Sequence, residues 1–327
     1  MYECASPIGT RLLVPETESE NPPAFTAAEL DAAAEYYDAH GYVIVRGAIA
    51  PQVCDEIRQS FVATVKKYPS HLYRQTTANP EKNRFNEFGF VMNPILNIQD
   101  LPSARFAPLK NLALEAFASQ AVAASVKALL KSDCKLVQSM YFEGNSETWA
   151  HQDTYYLDAE NIGTMVAGWF ALEDIDPGAG RFYVVPGSHR LDLDRNSGEF
   201  SVAFNHERYK NFIKDIIRER GFEFSAPLLR KGDALFWNSK TIHGSLPTTH
   251  PQKSRNSLTA HFIPRSSRFL QFQSRIKPLH IKNYYGLDTH CPKDLDRLSN
   301  RVILAVETTF PGPFQAAKRA AIKLVTR

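Results

Sequence analysis

The segment Trp149-Ala150-His151-Gln152-Asp153 holds an imidazole and a carboxylate two positions apart. In extended backbone, residues i and i+2 point to the same side, so His151 and Asp153 converge on one point. Converging nitrogen and oxygen donors form two corners of a metal site. The best source of a third corner is His243, which follows the strand formers of Phe236-Trp237 and precedes Gly244, where backbone approaches closely. Two histidines and one carboxylate on one face leave three adjacent coordination positions open, the arrangement of non-heme iron(II) oxygenases. His189 competes for the second histidine position, but after Pro186-Gly187-Ser188 it reads as a turn residue making structural hydrogen bonds. His261 lies mid-strand and reads as a satisfied core or pocket histidine. His206, His250, His280 and His290 have no partner at useful spacing.

Oxygen chemistry at such a site needs a cosubstrate that gives two electrons. The keto acid end of 2-oxoglutarate chelates iron, and its far carboxylate then needs a cation. Arg255, twelve residues after His243 and just before a strand, suits this because its planar fork binds a carboxylate bidentately. Taken alone, Arg255 reads as a surface arginine in a basic stretch.

These residues must be positioned by the elements around them. Thr26 with Glu29 resembles a capping box opening a helix that Gly41 stops after His40. Tyr42–Val45 is a strand, and Pro51 opens a second helix to about Lys67. Residues 69–105 read as long loops, and an Ala- and Leu-rich helix is expected over about 107–130. Strand formers then dominate at 136–142, 165–172, 182–185, 234–237 and 258–263, with a charged helix near 207–220. Residues 1–24 read as an irregular arm. The rest, 25–327, reads as one domain, mainly β with flanking helices: a sandwich or barrel core buttressed by N-terminal helices.

The spaced set His151-Gln152-Asp153, His243 and Arg255 resembles the phytanoyl-CoA dioxygenase family of iron(II)/2-oxoglutarate oxygenases. Gly168 to Asp174, the Pro186-Gly187-Ser188-His189 turn, Gly232 to Trp237 and His40 to Gly47 are similar to family motifs in order and spacing. The likeness covers about 25–265. It implies a double-stranded β-helix, a cupin-like jelly-roll. It assigns His151, Asp153 and His243 to iron(II), Arg255 to the distal carboxylate of 2-oxoglutarate, and Trp169 and Ser245 to the cosubstrate pocket. It implies O2-dependent decarboxylation of 2-oxoglutarate to succinate and carbon dioxide, coupled to hydroxylation of an unactivated C–H bond. Desaturation, cyclisation or epimerisation at the same iron, or a non-catalytic jelly-roll binding protein, are the alternatives. Related halogenases carry Gly or Ala in place of the carboxylate, so Asp153 speaks against halogenation. Ala179-Gly180-Arg181 departs from the family's Asn-Gly, and 266–327 has no counterpart. Segments before the core fold over the site in this family, which makes Arg84 and Phe88 candidate substrate contacts. Gln138 and Tyr141, on the strand before the metal motif, are two more.

Composition excludes other classes. The 327 residues carry 38 Lys and Arg against 35 Asp and Glu, so no global footprint for nucleic acid exists. No apolar run reaches the roughly 18 residues of a transmembrane segment. Cysteines 4, 54, 134 and 291 form no metal or disulfide pattern, as expected of reduced thiols in a cytoplasmic protein. There is no G-x-S-x-G elbow, Walker motif or dinucleotide fingerprint. Residues 251–287 hold seven Lys and Arg and no acid, which suits an anionic small-molecule substrate. The tail from Pro311, with Lys318, Arg319, Lys323 and Arg327, reads as a terminal helix docked on the core. An anionic membrane surface is the alternative partner for it.

Overall fold

The computed structural model describes residues 1–193, 205–273 and 275–325, with backbone alone over 319–325. Its centre is a nine-stranded sheet. Four long or central strands form its middle: Cys134–Phe142, Ser257–Pro264, Val166–Ala171 and Ala234–Asn238, adjacent in that order and antiparallel. Tyr42–Val45 continues the sheet beyond Ala234–Asn238, and Ile281–Tyr284 with Leu287–His290 flank it on the other side.

Alternation along these strands separates two faces. Val43, Val45, Phe170, Phe236, Leu258, Ala260 and Phe262 point to one side and pack with the N-terminal helices. Tyr42, Ile44, Ala167, Trp169, Leu235 and Trp237 point to the other. A small second sheet faces this inner side: Phe182–Val184 pairs with His243–Ser245, and His151 bridges to His243. A three-stranded piece, Leu157–Ala159, Phe269–Gln271 and Arg275–Lys277, lies beside it. Two facing β-layers with helices outside one of them make the expected jelly-roll.

Several local expectations need correction. Residues 1–24 are not irregular, since Tyr2–Ala5 and Arg11–Val14 form an antiparallel hairpin. Buried Arg181 holds this arm by donating to the Pro15 carbonyl, so the departure at Ala179-Gly180-Arg181 has a structural use. The first helix starts at Leu30 rather than after Thr26, although Glu29 accepts from the Thr26 amide and hydroxyl as a capping pair would. Gly41 ends that helix at φ 80°, and a Cβ there would collide with His189 and Thr241. The helix expected over 107–130 is two helices, Ser103–Ala118 and Gln120–Leu130, bent by 50°. Ser119 breaks them with extended backbone (ψ 150°), a conformation that costs serine little. The tail forms the helix Pro311–Val325. The side chains of Arg319 and Lys323, and all of Arg327, lie outside the described residues.

Candidate functional site

His151, Asp153 and His243 meet between the two layers. One ligand atom from each lies within 4.8 Å of the others, and all three residues are buried. His151 Nε2 and His243 Nε2 stand 3.7 and 3.5 Å from Asp153 Oδ1. Each ring has its Nδ1 against a backbone carbonyl, Trp149 O at 2.8 Å and Thr241 O at 2.9 Å. A carbonyl only accepts, so both Nδ1 atoms carry the proton. That fixes the tautomer and turns both Nε2 lone pairs toward Asp153, where a metal would sit. The spacing follows from the backbone: His151 and His243 exchange amide–carbonyl bonds at 3.1 and 3.0 Å.

Electrostatics agree with a cation at this point. Burial and the neighbouring His243 push the His151 pKa down, which keeps it a neutral ligand. Burial alone would raise the Asp153 carboxyl. His243, His261 and His151 outweigh it and hold Asp153 well below the usual carboxylate range. The second oxygen, Oδ2, accepts from the indole Nε1 of Trp237 at 2.8 Å and lies 3.5 Å from His261 Nε2. Two imidazole Nε2 atoms and one carboxylate held to a single free oxygen fit a divalent transition metal.

The triad opens into a cavity of about 670 Å³. Arg255, Trp169, Ser245, Thr259 and His261 line it. Arg255 is 2% exposed, yet no salt bridge among the described residues includes it. Its Nη1 donates to Gly180 O at 2.8 Å, and its Nε has no partner among the described residues. Gly180 sits at φ 78°, where a Cβ would collide with Asn145. Burial without an acid partner pushes the Arg255 pKa down to about 9. Its guanidinium stands 5.9 Å from the centre of the Trp169 ring, which stacks at 6.0 Å on Phe182. Ser245 Oγ accepts from the Thr148 amide at 2.7 Å, which leaves its hydroxyl proton free to donate.

The other expected contacts divide. Gln138 lines the cavity. Tyr141 does not: three positions on, it faces the helices, stacks on Phe61 at 4.0 Å and donates to Asn256 at 2.7 Å. Arg84 and Phe88 lie in an exposed hairpin away from the cavity, with the Arg84 side chain 62% accessible and paired to Glu81. From that region the wall is instead built by Tyr73, Gln75, Asn97 and Asp100. His189 is remote from the triad, with Nε2 on Asp38 O. His206 and His290, set aside for lack of spaced partners, do line the cavity, and His206 accepts or donates with Tyr156 at 2.7 Å. Spacing in sequence gave no signal for His206, because its neighbours Trp149, Tyr155 and Tyr156 lie some fifty residues earlier in the chain.

Comparison with known proteins adds to this geometry. A family model described as Phytanoyl-CoA dioxygenase (PhyH) matches residues 37–257. The phytanoyl-CoA dioxygenase domain-containing protein 1 homolog of Dictyostelium discoideum is 34% identical over 116 residues, 35% of this chain and 39% of that relative. Phytanoyl-CoA dioxygenase domain-containing protein 1 of Danio rerio is 24% identical over 259 residues, 68% of this chain and 86% of that relative. In fold, the chain resembles the non-heme alpha ketoglutarate dependent carbocyclase SnoK from nogalamycin biosynthesis, with a TM-score of 0.57 and 17% identity over 76% of this chain and 90% of that one. With the model covering more than half its length, the chain belongs to the phytanoyl-CoA dioxygenase family.

Proposed function

We propose that this protein is an iron(II)/2-oxoglutarate-dependent dioxygenase that hydroxylates a C–H bond of a small or medium organic molecule. The observation that carries the reading is Arg255, a buried guanidinium without an acid partner in the same cavity as the triad. Burying an uncompensated cation is costly, so a site that keeps one is built to receive an anion. The distal carboxylate of 2-oxoglutarate is that anion.

His151, His243 and Asp153 would hold iron(II) through two Nε2 atoms and Oδ1. Iron(II) with 2-oxoglutarate, when bound, supplies the oxidative chemistry: 2-oxoglutarate, O2 and R–H become succinate, CO2 and R–OH. The chain's own part is positional. Trp237 holds Asp153 to one free oxygen. Arg255 sets the cosubstrate's far end, and Trp169 with Phe182 walls that end off from water. Ser245 offers a hydroxyl proton at the same wall. The carbocyclase name of a fold neighbour marks the other outcomes this scaffold serves, which depend on how the substrate is placed.

Anaerobic titration with iron(II) and 2-oxoglutarate tests the reading. The expected result is a weak visible charge-transfer band at roughly 500 nm, from a chelated keto acid on a two-histidine, one-carboxylate site. The band should vanish in Asp153→Ala and Arg255→Met. Absence of iron binding in the wild type would leave the non-catalytic alternative in its place.

A further inference from the structure

The cavity has a second group of lining residues whose contacts are with one another. Lys293 Nζ lies 3.4 Å from the centre of the Tyr73 ring. Lys277 pairs across the strands with Phe269, whose ring packs 6.0 Å from His290. Lys318, from the last helix, lines the same wall. All three lysines come from 266–327, beyond the segment that the family model matches.

Three basic residues nearby are neutralised locally. Arg265 pairs with Asp288, Arg268 with Glu160 and Lys282 with Asp294. Lys277, Lys293 and Lys318 form no salt bridge among the described residues, although each faces the cavity. Two acids stand near them. Glu307 is engaged by Tyr73 Oη at 2.8 Å and by Gln315 Nε2 at 3.2 Å. Asp100 is buried, with the Lys293 amide and the Asn97 side chain beside its carboxyl. His290 adds no charge, because its Nδ1 accepts from the His280 amide. The lysines therefore outnumber the acids on this wall. Lys293 is pushed down to about 8 chiefly by burial; Glu307 and Asp100 oppose this, and Lys318 and Lys277 add to the lowering. Like charges gathered at a cavity wall repel one another and are relieved when an anion enters.

We propose that Lys277, Lys293 and Lys318 form an oxyanion subsite, so that the substrate is an organic phosphate, sulfonate or carboxylate held by its anionic group away from the iron. This rests on the oxygenase reading for its role in turnover, but the binding itself does not.

The test uses protein holding iron(II) and 2-oxoglutarate under anaerobic conditions, with Arg255 thereby occupied. The probe is 8-anilinonaphthalene-1-sulfonate, followed by fluorescence beside its uncharged analogue N-phenyl-1-naphthylamine. The sulfonate should bind at least about tenfold tighter than the neutral analogue, a difference of about 1.4 kcal/mol. Lys277→Gln and Lys293→Gln should each remove most of that difference and leave the neutral probe's affinity as it was. Displacement by 1-naphthyl phosphate and 1-naphthoate, with 1-naphthol as the neutral reference, then ranks the three oxyanions. Equal binding of charged and neutral probes, or a sulfonate preference that survives both variants with unchanged melting temperature, would overturn the subsite. Loss of the charge-transfer band with the sulfonate preference intact would instead strike the iron reading alone.

Discussion

Trp237 Nε1 donates to Asp153 Oδ2 at 2.8 Å, and the opposite oxygen, Oδ1, is the one that faces both histidines. The indole thus decides which oxygen is available to a metal. Trp237→Phe keeps the ring against Phe182 but frees Oδ2. Iron(II) affinity should fall roughly 10- to 100-fold, the usual cost of losing a hydrogen bond that orients a ligand. Anaerobic iron titration measures it, and an unchanged affinity would show that packing alone orients Asp153.

Arg255 gives a prediction of opposite sign for stability and function. It is buried, and among the described residues only Gly180 O accepts from it. Arg255→Met fills similar volume and removes a desolvated charge. The melting temperature should rise, by an amount equal to about 1–2 kcal/mol. Affinity for 2-oxoglutarate should fall at least about 100-fold, since a charge-assisted bidentate contact is lost. Calorimetry with and without 2-oxoglutarate reads both effects. A destabilised variant would mean that Arg255 is held by partners other than those seen.

Asp100 makes the pH dependence explicit. Burial raises its carboxyl to about 7 from an ordinary 3.8. The folded protein holds that proton more tightly than the unfolded chain does. The burial cost is therefore absent below about pH 3.8 and grows as pH rises toward 7. Asp100→Asn should raise stability at pH 8 by about 1–3 kcal/mol, with the gain shrinking at pH 5. Denaturant unfolding at the two pH values checks the sign.

Asp158 is buried too, but well supplied. The Ala159 and Met165 amides donate to Oδ1 at 2.7 and 3.2 Å, and the Gly163 amide and Ser239 hydroxyl donate to Oδ2 at 2.8 and 2.9 Å. Four donors leave no place for an amide NH2. Burial still raises its carboxyl to about 7, so at pH 8, where it is ionised, Asp158→Asn should cost about 2–3 kcal/mol, the loss of bonds to a charged acceptor plus a donor facing donors. Thermal unfolding of the variant is the measurement, and a neutral result would mean that the loop over 159–165 rearranges freely.

The metal triad was legible in the sequence because two of its members sit in one extended segment and the third beside a glycine after a strong strand. Arg255 was legible through its place before a strand that returns to the site. Gln138 and Tyr141 show the limit of such reading. Three positions apart on one strand, they point to opposite faces, and only Gln138 reaches the cavity. Arg84 and Phe88 failed for a different reason: a Pro- and Asn-rich segment folds by long-range packing, which local composition does not encode. The break at Ser119 was hidden as well, since the flanking residues favour helix on both sides.

One irregularity in the central sheet bears on how the binding chamber can vary. His261 pairs with Gln138 but Phe262 pairs with Leu136, so Val137 is an extra residue in its strand. The bulge lets Val137 and Gln138 both face inward, while Leu136 stays in the helix-packed core. A one-residue gain or loss at this point would redraw the chamber wall beside His261 without moving the outer surface on which the helices rest. The strand carries a built-in site where length change alters ligand shape and spares the scaffold.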